Sequence, residues 1–122
     1  MHRPTRLSAV NIVTTDPKRL ADFYRDVLGA DICLDHGGPQ RIEICVDGQG
    51  PLIVANGDPS FTPRIYDACQ GFELSVEDVD AEYRRICALG VHASEPRDLP
   101  WGYRYFHIKD PDGNGIDLVQ KL

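Results

Sequence analysis

The spacing of hydrophobic residues changes along the chain from a period of two to a period near four and back, which predicts alternating strands and helices. Residues 9–14 (A-V-N-I-V-T) are β-branched and loosely alternating, as in a strand with one buried face. Asp16 followed by Pro17 is a typical helix start, and Gly29 is a typical helix end. The apolar stripe of this helix consists of Leu20, Phe23, Tyr24, Val27 and Leu28.

Three shorter strands are predicted after the first helix, at 31–34, 41–46 and 51–55, because glycine, proline and aspartate separate runs of strand-forming residues there. The order of elements in this part of the chain is therefore β-α-β-β-β. Residues 57–70 are rich in glycine, aspartate, proline and serine and have little periodicity, so we interpret them as a linker or a mobile loop.

The same pattern then restarts. Residues 71–76 (G-F-E-L-S-V) alternate as a strand, Asp78 is placed to begin a second helix, and Gly90 is placed to end it. The helix starts at Asp16 and Asp78 are separated by 62 positions, which indicates an internal repeat. Three strands are predicted after the second helix, near 91–93, at 103–109 and at 115–120.

Each repeat contains about 60 residues, which is too few to bury a sufficient core alone, so we expect the two copies to form one fold. The prediction is a single domain over 1–122, with a first module at 6–56 and a second module at 71–122.

The amino-acid composition excludes several classes of function for this protein. The 122 residues are 42% hydrophobic, which is enough for a core, and the net charge of −6 argues against nucleic acid or an anionic membrane as the main partner. No secretory apolar segment follows the first methionine, so we predict a cytoplasmic protein. The four cysteines form no C-x-x-C motif and are predicted to be reduced thiols.

Three stretches together resemble the vicinal oxygen chelate superfamily, which includes glyoxalase I, bleomycin-resistance proteins, fosfomycin-resistance enzymes and extradiol dioxygenases. They read V-N-I-V-T-T-D-P-K-R-L-A-D-F-Y-R-D-V-L-G, F-E-L-S-V-E-D-V-D-A-E-Y-R-R-I-C-A-L-G and W-G-Y-R-Y-F-H-I-K-D-P-D-G-N-G-I-D-L. The chain is most similar to the bleomycin-resistance-like branch. The resemblance implies an α+β fold of two βαβββ modules in tandem, whose curled mixed sheet surrounds a cavity that a second chain often completes. A homodimer is therefore expected.

Strand alternation sorts the residues of each sheet into two faces, because the apolar set packs on the helix and the other set points away. The second set is polar, and two interpretations stay open for it: a solvent-exposed face, or the cavity lining that the resemblance implies. Trp101, in a loop before a strand, is either a core residue or a stacking surface for a planar ligand. The predicted ligand contacts are Asn11, Glu73, Ser75, Trp101, Tyr105, His107 and Asp117.

Metal-dependent members of the superfamily place their ligands at positions that correspond to Ala9, Gly71 and Asp117. Two of these three residues have no donor atom, and one carboxylate does not hold a catalytic cation, so no metal and no cofactor are predicted. A rebuilt set of His107, Glu73 and Asp117 is the alternative.

Two further features have structural explanations. Residues 110–115 have the spacing of a calcium-binding loop, but the position of its bidentate glutamate is occupied by Lys121, so we predict a tight turn. Arg104 alternates with buried positions and is predicted to form a partly buried ion pair.

These features lead to a prediction of a metal-independent small-molecule binding protein that sequesters an aromatic or amphipathic metabolite or antibiotic. The alternative is an enzyme of the same superfamily, a lyase, isomerase or dioxygenase, with non-standard metal ligands or with acid-base chemistry by His107 and Glu73. The identity of the ligand does not follow from the sequence.

Overall fold

A computed structural model describes residues 3–4, 7, 9–35, 41–56 and 71–122. The backbone divides into two compact units, Met1–Ile65 and Tyr66–Leu122. Within the described residues, each unit contains one helix and four strands. The predicted linker at 57–70 lies outside them, so the division into a single domain of two modules stays a prediction. Neither helix in the described part of the chain is long and apolar enough to span a membrane.

The first unit is a four-stranded sheet with one helix against it. The sheet order is β1-β4-β3-β2, with β1 parallel to β4 and the other neighbours antiparallel, and α1 packs on β2, β3 and β4. This confirms the predicted β-α-β-β-β order. The elements are β1 (Val10–Val13), α1 (Pro17–Leu28), β2 (Asp31–Asp35), β3 (Arg41–Val46) and β4 (Gln49–Asn56).

Helix α1 begins and ends where its sequence predicts. The Asp16 carboxylate accepts a hydrogen bond from the Arg19 amide at 3.1 Å, which satisfies one of the free donors of the first turn. At the other end Gly29 has a φ of 70°, a left-handed conformation that glycine adopts without steric cost. Leu20 and Tyr24 are fully buried on the helix face that packs on the sheet.

The second unit repeats this architecture. Its sheet order is β5-β8-β7-β6, with β5 parallel to β8, and α2 packs on β7 and β8. The α+β fold class and the tandem βαβββ modules are therefore confirmed. The elements are β5 (Gly71–Ser75), α2 (Val79–Ala88), β6 (Arg97–Leu99), β7 (Tyr103–Lys109) and β8 (Gly115–Lys121).

The strand predicted near 91–93 is wrong, and the strand in this part of the chain is β6. The Val91 amide donates to the Ile86 carbonyl, so these residues still complete the end of α2. The first bond from this segment to β7 is made by the Ser94 amide, which donates to the His107 carbonyl at 3.0 Å. A run of three residues is too short a signal to distinguish a strand from the exit of a helix.

The buried and exposed faces of the second sheet follow the predicted alternation. Glu73 and Ser75 are exposed, whereas Phe72 and Leu74, which alternate with them, are partly buried. Val119 departs from the pattern: alternation with Leu118 predicts it on the polar face, and it is nevertheless buried. The buried apolar side chains of α2, β7 and β8 are Val79, Ile86, Phe106, Ile108, Ile116, Leu118 and Val119.

Arg104 connects three elements of the second unit. Its guanidinium donates two hydrogen bonds to Asp80 on α2, at 3.1 and 3.2 Å, and one to Asp98 on β6 at 3.0 Å. Hydrogen bonds first to Asp80 and then to Asp98 raise the pKa of the Arg104 guanidinium above its usual value. The predicted partly buried ion pair is confirmed.

The turn between β7 and β8 has the structure predicted for 110–115. The buried Asp110 carboxylate accepts hydrogen bonds from the amides of Asp112 and Asn114, both at 2.9 Å. Gly113 has a φ of 87°. The aspartate therefore holds the turn closed, and its oxygens are used within the loop.

The prediction of reduced cysteines is wrong for two of the four. Cys33 and Cys45 form a disulfide between β2 and β3, with their Cα atoms 5.8 Å apart. Both strands belong to one hairpin, and a register shift between Ile32 and Leu34 accompanies the bond. Pairing of two strands brings together cysteines that are far apart in the sequence. The spacing of the cysteines therefore did not predict this disulfide. Cys87 is free and exposed, and Cys69 lies outside the described residues.

We expect the disulfide to stabilise the first unit by about 3 kcal/mol, because it closes a loop of roughly a dozen residues in the unfolded chain. Cys33→Ala should lower the free energy of unfolding by about this amount, measured by urea denaturation under oxidising conditions. Cys87→Ala is the matched control and should leave it unchanged. Reductant should destabilise the wild type but not Cys33→Ala; an equal response of both proteins would contradict the prediction.

Candidate functional site

Three polar side chains from three strands lie in one row across the second sheet. Asp117 on β8 is in register with Glu73 on β5 and with His107 on β7. Because residues in register lie side by side on one face of a sheet, all three belong to the face opposite α2. The structure thus brings together three of the predicted ligand contacts.

The imidazole of His107 is bound to the Asp117 carboxylate. The distance from Nδ1 to Oδ1 is 2.6 Å, and the two side chains are 40% and 35% exposed. When the ring is neutral, its Nδ1–H group donates to the carboxylate, so that Nε2 has the lone pair. The arrangement gives an oriented imidazole that accepts a hydrogen bond or a proton at its outer nitrogen.

Glu73 is the third member of the row and has no hydrogen-bond or ion-pair partner among the described residues. It is exposed on β5, beside Asp117. Two neighbouring carboxylates and one histidine give this part of the face a negative charge when the imidazole is neutral. A hydrogen-bond donor or a cationic group of a ligand is favoured there.

The next row of the same face is aromatic and cationic. Ser75, Val119, Tyr105 and Arg97 are successive neighbours in register across β5, β8, β7 and β6. The Arg97 guanidinium donates to the Tyr105 hydroxyl at 2.9 and 3.2 Å and lies 5.3 Å from the centre of the ring. These contacts fix the orientation of the phenol ring, which then presents a preorganised flat surface.

A concavity of about 430 Å³ lies along β7 beyond the end of β6. The Ser94 hydroxyl accepts a hydrogen bond from the His107 amide at 2.8 Å, which holds the preceding segment against this strand. His107 is therefore both a member of the polar row and a wall of the concavity. The lining residues are Val91, His92, Ser94, His107, Ile108 and Lys109.

Sequence reasoning missed Arg97, His92, Ser94 and Lys109. Arg97 was missed because the strand that pairs with Tyr105 was expected earlier in the chain. The signal that identifies Arg97 is the turn at Gly102, whose amide donates to the Leu99 carbonyl and whose φ is 88°. A hairpin folded about this turn places 97–99 opposite 103–105.

Two predicted ligand contacts lie apart from these rows. Trp101 occupies the turn between β6 and β7 and is 69% exposed, so the core interpretation of this residue is wrong. It lies at the end of β7 that begins with Tyr103, away from the His107 end. Asn11 belongs to the first unit, where it is exposed on β1 in register with Val54. Its contact with a ligand stays a prediction.

The residues at the superfamily's metal positions do not fit a cation. Gly71 is in register with Gly115, and a Cβ atom at Gly71 would meet the Gly115 carbonyl oxygen at an ordinary 3.7 Å, so the position accommodates a Cβ atom but has no donor. Ala9 likewise has none. No three histidine, cysteine, aspartate or glutamate side chains among the described residues are grouped so that they could hold a metal.

The fold and the polar sheet face define a protein of the glyoxalase type. The chain belongs to the Glyoxalase/Bleomycin resistance protein/Dioxygenase superfamily, whose family model matches residues 6–118.

Several relatives resemble the chain along its whole length. It is 27% identical to YraH, an uncharacterized protein of Bacillus subtilis (strain 168), covering 96% of this chain and 99% of the relative. The crystal structure of TnmS3, an antibiotic binding protein from Streptomyces sp. CB03234, has a TM-score of 0.78, 26% identity and complete coverage of both chains. Lactoylglutathione lyase from Agrobacterium tumefaciens has a TM-score of 0.72 at 22% identity, covering 97% of this chain and 95% of that one, and shows a shared fold.

Added divalent metal should not stabilise the protein, because the donors are missing. We expect nickel, manganese, iron(II) or zinc ions to leave the melting temperature unchanged, whereas a site saturated at one hundred times its Kd would add about 2.7 kcal/mol. Differential scanning fluorimetry with each metal, with a chelator-treated sample as control, measures this. Stoichiometric metal that disappears in His107→Ala would contradict the expectation and would favour the rebuilt ligand set.

Proposed function

We propose that the protein is a metal-independent small-molecule binding protein, and that its ligand lies on the polar face of the second module. The observation that carries this proposal is the row of Glu73, Asp117 and His107, which is accessible to solvent and held in register by three strands. The strand register fixes the positions of these groups, so they can supply directional hydrogen bonds to a ligand with little further ordering.

The neighbouring row supports an aromatic or amphipathic ligand. Tyr105 is oriented by Arg97, so stacking on its ring orders no further side chain. Ser75 lies in this row and supplies a hydroxyl at its far end. A ligand whose aromatic ring stacks on Tyr105 and whose hydrogen-bond donor points at Glu73 would contact both rows.

The similarity to TnmS3 favours sequestration as the purpose of binding. TnmS3 is an antibiotic binding protein and matches this chain over its full length. The superfamily also contains enzymes, so family membership alone does not decide between binding and turnover. We infer an antibiotic or a similar aromatic metabolite as the ligand class, and the missing metal donors favour binding over the superfamily's metal chemistry.

The proposal is tested by titrating the single tryptophan, Trp101, with aromatic antibiotics such as bleomycin and daunorubicin. For a compound that binds, Glu73→Gln should weaken binding by about tenfold, or 1.4 kcal/mol, because a charge-assisted hydrogen bond is lost. Affinity is measured by isothermal titration calorimetry as well, since Trp101 lies away from the polar row.

Glu77→Gln is the matched control, because Glu77 is an exposed carboxylate just beyond β5 and should leave the affinity unchanged. Binding that is equally tight in wild type and Glu73→Gln would exclude the polar row from the site. Failure of every compound to bind would contradict the ligand class.

We also propose that the protein is a homodimer, as the superfamily resemblance implies. In each sheet the outer strands are paired on one side only within the described residues, and unpaired strand edges favour association with a second chain. Light scattering at micromolar concentration should give twice the chain mass. A monomer mass would contradict the proposal.

A cytoplasmic location stays a prediction from the sequence. The Cys33–Cys45 disulfide weakens it, since disulfides are rare in cytosolic proteins.

A further inference from the structure

A row of two glycines and one lysine lies next to the polar row on the second sheet. Gly71, Gly115 and Lys109 are in register across β5, β8 and β7, two residues along each strand from the members of the polar row. Because residues two apart on a strand share a face, both rows belong to the face opposite α2. The two glycines have no side chains, so a ligand can approach the backbone there, with Lys109 at one end of the row.

Lys109 provides the positive charge of this glycine-lysine row. Its side chain is exposed and has no hydrogen-bond or ion-pair partner among the described residues. The next residue, Asp110, is buried, and its carboxylate accepts hydrogen bonds from the amides of Asp112 and Asn114 within the turn. An ammonium group without an acidic partner favours an anionic group of a ligand.

The concavity along β7 has room for such a group. Lys109, His107 and His92 line it, and no carboxylate belongs to the part of the lining that the structure describes. The Ser94 hydroxyl accepts from the His107 amide, so its own hydrogen is available to a ligand. The lining thus supplies one permanent positive charge and a hydroxyl donor, which match a monoanion such as a carboxylate better than a phosphate dianion.

Three adjacent rows of this face therefore differ in chemistry. Tyr105 makes the first row aromatic, Glu73 and Asp117 make the second acidic, and Lys109 gives the third a positive charge. Neighbouring rows are separated by roughly 7 Å, twice the rise per residue of a strand. The two ends of an extended dipeptide are also roughly 7 Å apart, so a molecule of that size reaches from one row to the next.

We propose that the ligand of the polar face is a zwitterion of about dipeptide size, an aromatic amine that also carries a carboxylate. The aromatic ring stacks on Tyr105, the ammonium lies beside the carboxylates of Glu73 and Asp117, and the carboxylate lies beside the Lys109 ammonium. This ligand class rests on the proposed function, since it requires that the polar row binds the ligand.

The test uses phenylalanylglycine and two derivatives that each lack one charge, its C-terminal amide and its N-acetyl form. Titration of ¹⁵N-labelled protein, followed by ¹H–¹⁵N correlation NMR, gives the Kd of each compound and identifies the backbone amides whose shifts change. Phenylalanylglycine should bind about fivefold more tightly than either derivative, because each derivative lacks one of the two ion pairs. The amides of Ser94, His107 and Lys109 should shift when it binds.

Two variants assign each charge to its partner. Lys109→Met should weaken the binding of phenylalanylglycine about fivefold and leave that of the amide unchanged, because the amide has no carboxylate. Glu73→Gln should weaken the binding of phenylalanylglycine and leave that of the N-acetyl form unchanged. Lys121→Met is the matched control, because it removes the same charge at the other end of β8, where Lys121 is exposed and in register with Tyr103. It should bind phenylalanylglycine as the wild type does.

Three results would each overturn the zwitterionic ligand class: equal affinity for phenylalanylglycine and its amide, an equal loss of both in Lys109→Met, or no binding of phenylalanylglycine. Daunorubicin has an amine and an aromatic ring system but no carboxylate. Its affinity should therefore be the same in the wild type and in Lys109→Met. The binding of daunorubicin and its weakening in Glu73→Gln test the proposed function separately.

Discussion

The register between β5, β8 and β7 is the constraint on which the candidate site depends. Backbone hydrogen bonds place Glu73, Asp117 and His107 side by side, although 10 residues separate Asp117 from His107 and 44 separate it from Glu73. A slip of one residue in either pairing would turn a member of the row toward α2, into the apolar core. The buried side chains of β7 and β8 make that slip unfavourable, so the same packing that stabilises the module also aligns the polar row.

The fold was largely predictable because its signals are local and repeated. Capping by Asp16, the apolar stripe of α1 and the alternation in β7 each specify an element without reference to distant residues. For the candidate site, the sequence predicted only which face of the sheet each residue lies on. Alternation assigned His107 and Asp117 to the same side of the sheet, but their 2.6 Å contact depends on strand register, which follows from the whole sheet. The Cys33–Cys45 bond was missed for the same reason, whereas Arg97 was missed because its strand was expected earlier in the chain.

The polar face of this sheet does not depend on the metal chemistry known for the superfamily. The position of Gly71 has no donor, while the carboxylate of Asp117 lies one row away and is hydrogen-bonded to an imidazole. Removing two ligands from a cation site leaves a carboxylate without its counter-charge. In this chain the His107 imidazole is hydrogen-bonded to that carboxylate, and the face keeps a polar centre built from side chains alone.

The internal repeat gives the polar row a counterpart within the same chain. By register, the first unit places Asn11, Val54 and Glu43 side by side on β1, β4 and β3, in the order that Glu73, Asp117 and His107 follow in the second. The duplicated halves have thus diverged at equivalent positions, so one half can lose ionisable groups while the other retains them. For protein engineering, two substitutions in the first half would place a second histidine-carboxylate pair at the equivalent register positions.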